Sequence, residues 1–304
     1  MLEHLGELAA LGTSICYSFG SLLFTFSGRQ LGTALTNRAR LLVALIFVIA
    51  MQWISLGRPF PITTPDRWFW LGVSGFIGFV VGDACLFEAF VRIGPRLSML
   101  MMAFAPALSV ILAWAFLGER LTFADLLIIV AITAGIVWVV SEEPEQPADK
   151  AAEQQDRRHH LIGLLFGVGA ATGQAVGFTL SKVGLADNFP TISATLMRLL
   201  VATIVVWLIS MVRGELGSSV RDLRLHPRAF QAMVIASILG PVLGVWFSLI
   251  AEQQTSVGVS STLSSLSPIF LIPISFVVYR ERFSRRAVIG TLLVIVASAL
   301  LFFV

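Results

Sequence analysis

The chain runs to 304 residues with a formal net charge of +3, and 57% of its residues are hydrophobic against 13% charged. A water-soluble domain carries about 25% charged residues, so this composition excludes a soluble globular protein and points to lipid as the solvent. The positive excess comes from Arg spread over connecting loops, which in a membrane protein reports orientation and gives no basis for nucleic-acid binding.

A helix needs about 20 mainly apolar residues to cross about 30 Å of hydrocarbon. The sequence predicts ten such spans, at 6–27, 37–56, 67–91, 95–118, 121–140, 161–182, 190–212, 229–251, 256–279 and 284–303. The expected fold class is an all-α polytopic membrane protein. No positively charged segment and small-residue cleavage site precede the first span, so it is expected to stay in the fold rather than leave as a signal peptide. Cys16 and Cys85 both fall inside spans, where a reduced Cys packs as a small apolar residue. The second span opens RLLVAL at Arg40, and the third holds GFVVG at 78–82 followed by Asp83. The fourth carries APALSVILAWAFLGER at 105–120. After the fifth span comes SEEPEQPADKAAEQQDRRHH, residues 141–160, with the composition of a polar, mobile linker. This divides the chain into a first five-helix repeat at 1–141, a linker at 142–160 and a second five-helix repeat at 161–304.

The second half restates the first. The seventh span opens RLLVAT at Arg198, the eighth holds GPVLG at 240–244, and the ninth carries SPIFLIPISFVVYRER at 267–282. One and the same offset carries Pro106 to Pro268, Glu119 to Glu281 and Gly78 to Gly240. Three matches in the same order indicate duplication. Because five is odd, consecutive copies would enter the membrane with opposite orientations, the inverted-topology arrangement that recurs in secondary transporters with a site near the bilayer midplane.

These features together resemble the drug/metabolite transporter superfamily, of the EamA-domain type: ten spans, an Arg opening the second and seventh, and the Pro-apolar-Glu-Arg segments at 106–120 and 268–282. The resemblance covers nearly the whole chain. It implies two inverted repeats around a central cavity lined mainly by spans 1, 3, 4, 6, 8 and 9, and an exporter of metabolites or amino acids or a carrier of nucleotide sugars. One departure is Arg280, where the first half has Gly118 before its Glu.

Candidate cavity residues follow from helix physics. A Pro inside a helix removes a donor and clashes with the carbonyl four residues earlier, which lipid tolerates only beside protein or water. Pro106, Pro268 and Pro273 therefore mark bends in spans 4 and 9, either beside a cavity or as packing kinks. Span 9 is the most polar, with Ser256, Ser260, Ser264 and Ser267 on one face, and Ser98 is the repeat partner of Ser260. Such hydroxyls either line a cavity or bond back to their own helix. Asp83 is the deepest acid of the chain, and an ionisable group at that depth demands a partner or a function. Arg40, Arg198 and Lys182 are its candidate partners, with Glu88 and Glu252 nearer span ends. Asp83 is either one half of a structural ion pair or a proton-exchanging coupling residue. The Gly75, Gly78, Gly82 and Gly169, Gly173, Gly177 rows are expected to pack internally rather than form a dimer interface.

All four His residues lie outside the spans, and no second Asp lies at comparable depth, so an intramembrane enzyme is not expected. No cofactor or metal is expected, and the chain has no P-loop. The expected partners are membrane lipid and a small-molecule substrate, with the chain a monomer or homodimer in a bacterial cytoplasmic (inner) membrane. A translocator of lipid or lipid-linked sugar is the alternative function. Sixteen of the 21 Lys and Arg residues fall in odd-numbered loops and four on the opposite side, which by the positive-inside rule puts both termini outside. The family resemblance implies the reverse.

Overall fold

The computed structural model describes residues 5–117, 123–140, 150–185, 189–244, 246–247, 266–267, 270–271 and 285–300, and among these every regular element is helical. α1 (Leu5–Leu31) and α2 (Thr33–Leu56) are separated by the single residue Gly32. Its φ of 82° lies in the left-handed region, which a side chain resists and Gly adopts freely. α3 (Pro65–Gly75) starts with a Pro in its first turn, where the missing donor costs nothing, and runs into a π-helical segment, π1 (Phe76–Gly82). α4 (Asp83–Met102) continues from it, but Gly94 inside α4 has φ 77° and ψ 167° and is followed by Pro95. The third and fourth predicted spans thus meet at one left-handed Gly rather than in a loop.

α5 (Phe104–Leu117) follows a break at Ala103, whose N–H bonds Leu100 O at 3.0 Å. The bend expected of Pro106 lies just ahead of it, at Ala103. The Pro106 ring would clash with the carbonyl of Met102 if the helix continued, so the chain breaks ahead of it and Pro106 sits in the first turn of a new helix. α6 (Phe123–Val140) follows, then α7 (Lys150–Gly184), whose 35 residues exceed the thickness of a bilayer. Residues 150–160, expected as mobile linker, are helical and continuous with the sixth span. Their Ala, Glu, Gln and Arg are good helix formers despite their polarity. α8 (Thr191–Val212), a short α9 (Leu216–Leu225) absent from the expected spans, α10 (Pro227–Ser237), π2 (Ile238–Gly244) and α11 (Arg285–Leu300) complete the described elements.

The repeat seen in sequence is reproduced in backbone detail. α3 and α10 start at Pro65 and Pro227 and pass into π segments at Phe76 and Ile238, each pair related by the offset that relates the sequence motifs. Packing is reciprocal as well. α1 lies against α10 and π2, whereas α7 lies against α3, π1 and α4; α2 packs on α8, and α6 on α11. Among the described residues, six stretches are long and apolar enough to cross a membrane: Leu8–Leu31, Thr33–Leu56, Pro65–Met102, Arg157–Ser181, Thr191–Val212 and Pro227–Gly244.

Glycine makes the α7 contact possible. A methyl group on Gly173 would sit 2.6 Å from Cα of Gly82, and one on Gly177 3.2 Å from Cα of Gly78. With backbones this close, the Ser74 hydroxyl donates to the Gly177 carbonyl at 2.6 Å. The glycine rows are therefore internal packing surfaces.

Candidate functional site

A buried charged pair lies where π1 becomes α4. Asp83, the first residue of α4, forms an ion pair with Arg40 on α2, and both side chains are buried. Burial of two charges is tolerable only with good geometry and further partners. Arg40 has both: its Nε donates to Asn37 Oδ1 at 3.1 Å, and its guanidinium lies 5.6 Å from the centroid of Phe24 and 5.1 Å from that of Phe87. Phe24 and Phe87 meet edge to face at 5.1 Å, so α1, α2 and α4 enclose the cation in aromatic surface. Of the three cations expected as partners for Asp83, Arg40 forms an ion pair with it.

Arg198 occupies the matching position on α8. Its guanidinium stacks 4.8 Å from the centroid of Phe79 in π1, and its Nη2 lies 3.3 Å from where a Gly78 side chain would begin. Its charge acts on both Asp83 and the Tyr17 phenol. The two arginines that open the repeated spans thus flank one acid, which the second half does not repeat: the counterpart of Asp83 there is Val245.

Other expected residues are brought to different places. Ser98 is fully buried and donates to the Gly94 carbonyl at 2.7 Å, satisfying a group at the kink in α4. Glu88 accepts from Thr33 Oγ1 at 2.5 Å and from Arg92 Nε at 3.0 Å, away from Asp83. Lys182 lies in the last turns of α7. Ser267 faces α1: Ser18 Oγ lies 2.9 Å from the Ser267 carbonyl, and Ser267 Oγ donates to Ser14 O at 3.2 Å. Ser260, Ser264 and Pro268 lie outside the described residues, as do Pro273 and Glu252.

One feature escaped the sequence reading. α1 buries Ser14, Ser18, Ser21 and Thr25, which fall along one face at helical spacing. Thr13 beside them lies 3.3 Å from the Gly244 carbonyl at the end of π2. The spacing that marked the Ser stripe of span 9 was equally present here, and Ser267 of that stripe meets Ser14 and Ser18 of this one.

Apolar helices of membrane length and duplicated detail define a multi-pass membrane protein with a buried charged centre. The chain belongs to the EamA-like transporter family, whose model matches residues 4–141 and again 161–303. It is 24% identical over 305 residues to an uncharacterized transporter of Archaeoglobus fulgidus, covering 99% of this chain and 98% of that protein. A solved crystal structure shares its fold with a TM-score of 0.63 at 16% identity, over 97% of this chain and 95% of that one. The protein is accordingly a membrane transporter.

Proposed function

We propose that the protein is a secondary transporter that exports a small polar or amphipathic metabolite, such as an amino acid, by alternating access. In this reading ten spans form two inverted five-helix repeats, 1–141 and 161–304, around a central cavity in a bacterial cytoplasmic membrane. The observation that carries it is the pair of helix-to-π transitions at equivalent positions of the two halves, each packed against the first helix of the opposite half. Two copies exchanging contacts in this way supply the near-symmetry that alternating access uses. The hydroxyls of α1 and Ser267 provide polar lining, and Asp83 with Arg40 provides the charged centre. Membrane lipid and substrate are the partners, no cofactor takes part, and the chain acts as a monomer or homodimer.

Purified protein in liposomes, loaded with a panel of labelled amino acids and other small metabolites, is expected to move at least one of them down an imposed ion gradient. Failure across the panel together with scrambling of labelled lipid would replace this reading with a lipid or lipid-linked sugar translocator. If Asp83 couples transport to protons, Asp83→Asn changes the pH profile of uptake; an unchanged profile in a folded variant removes that role.

A further inference from the structure

α9 joins two membrane-crossing stretches, Thr191–Val212 and Pro227–Gly244, and with 10 residues it is too short to cross the bilayer itself. Gly214, with φ 68°, turns the chain out of α8, and Pro227 starts α10. A helix held between two such stretches lies at the level of the lipid head groups. Both edges of the connection carry the same signature. Val212, 89% exposed, is followed by exposed Arg213, and exposed Arg228 stands two residues ahead of exposed Phe230. Each time an apolar side chain suited to hydrocarbon adjoins a cation suited to the interface.

α9 itself is two-sided. At about 100° per residue, Arg221, Arg224 and Leu225 share an arc of roughly 100°, and Leu223 lies across the helix from them. The packing follows this division: Leu223 packs against buried Leu31, Leu35 and Ala229, whereas Arg221, Arg224 and Leu225 are exposed. The Ser27 hydroxyl donates to the Ala229 carbonyl at 2.9 Å, which ties this cluster to α1. The acids of the connection do not balance its arginines. Glu215 pairs with Arg38 on α2, and Asp222 reaches Arg221 only at 3.9 Å. Among the described residues Arg213, Arg224 and Arg228 enter no ion pair.

We propose that α9, with the flanking Arg213 and Arg228, is a docking site for the phosphate head group of an anionic phospholipid whose acyl chains cover Val212, Leu225 and Phe230. The planar fork of a guanidinium matches two phosphate oxygens at once, and the cations sit at the depth where lipid phosphates lie. The exposed apolar residues decide between lipid and a soluble anion, since only a lipid uses both halves of the surface. The site is independent of what the transporter carries.

The test is lipid retention by the purified protein in detergent, read by native mass spectrometry as phosphatidylglycerol or phosphatidylcholine of matched acyl chains is titrated. The parent is expected to bind phosphatidylglycerol more tightly, and Arg221→Gln/Arg224→Gln to lose roughly tenfold of that preference, a few-fold for each arginine near the surface. Arg213→Gln/Arg228→Gln gives a second reading through the flanking pair. Arg157→Gln/Arg158→Gln removes the same charge from an exposed pair on α7, a helix that crosses the membrane rather than lying along it, and should leave the preference intact. Equal binding of the two lipids by the parent, an equal loss in the Arg157/Arg158 variant, or displacement of the lipid by inorganic phosphate at matched concentration would each overturn the site. Tighter binding of a poly-glutamate peptide than of phosphatidylglycerol would assign the face to an acidic protein instead.

Discussion

Arg40 and Asp83 are held by each other more than by water, and the asymmetry between removing one and removing both follows. Deleting one partner leaves a buried charge uncompensated, which costs about 3–5 kcal/mol, whereas replacing both with apolar groups of similar volume is often neutral. Arg40→Met or Asp83→Asn is therefore expected to lower the unfolding midpoint in detergent strongly, and Arg40→Met/Asp83→Leu to recover most of the loss. Additive effects in the double variant would show that the pair is not energetically coupled. The importance of Asp83 was legible in sequence because an ionisable residue stands out in an apolar run. Its partner was not: 43 residues separate it from Arg40, and Arg198 and Lys182 answered the same electrostatic need. The α1 hydroxyls went unread for the opposite reason. A Ser or Thr in a helix can satisfy itself on its own carbonyl, as Thr25 does on Ser21 O at 2.7 Å, so only the neighbouring helix gives the stripe a meaning.

At the scale of elements, proximity of backbones decides what the glycines permit. Gly173 meets the Cα of Gly82, and a backbone cannot swing aside as a side chain can. Gly20, by contrast, has nothing nearer than 3.8 Å to an added methyl. Gly173→Ala should cost about 1–3 kcal/mol through overpacking, while Gly20→Ala should be neutral or slightly stabilising. Thermal unfolding of the two variants side by side checks this, and equal midpoints would mean that α7 and π1 separate easily. Periodic apolar length and the repeated GFVVG and GPVLG segments made the third and eighth spans readable; that each contains a π-helical segment was not, since the wider turn leaves no compositional trace. The bend expected from Pro106 lies just ahead of it at Ala103, while Gly94 takes up a further change of direction between the third and fourth spans.

For the molecule as a whole, orientation in the membrane follows from the charge count, which the structure sharpens. Arg38, Arg40, Arg92 and Arg96, all assigned to odd-numbered loops by sequence, lie within α2 and α4, and Arg38, Arg40 and Arg92 pair with Glu215, Asp83 and Glu88. Omitting those four leaves twelve cations on the odd side against Arg58, Arg67, Arg120 and Lys182 on the other, still three to one. α9, which carries Arg221 and Arg224, adds a helical surface to the same side. Positive charge in short connections is retained in the cytoplasm, so this side is expected inside and both termini outside. The Arg38–Glu215 end of α2 and α8 then faces the cytoplasm, and the Gln52–Ser193 end faces the exterior. A periplasm-active phosphatase fused after Val304 should be active and a fluorescent reporter at the same position dark. The opposite pattern would place the Arg-rich loops outside, where retention of charge cannot explain them.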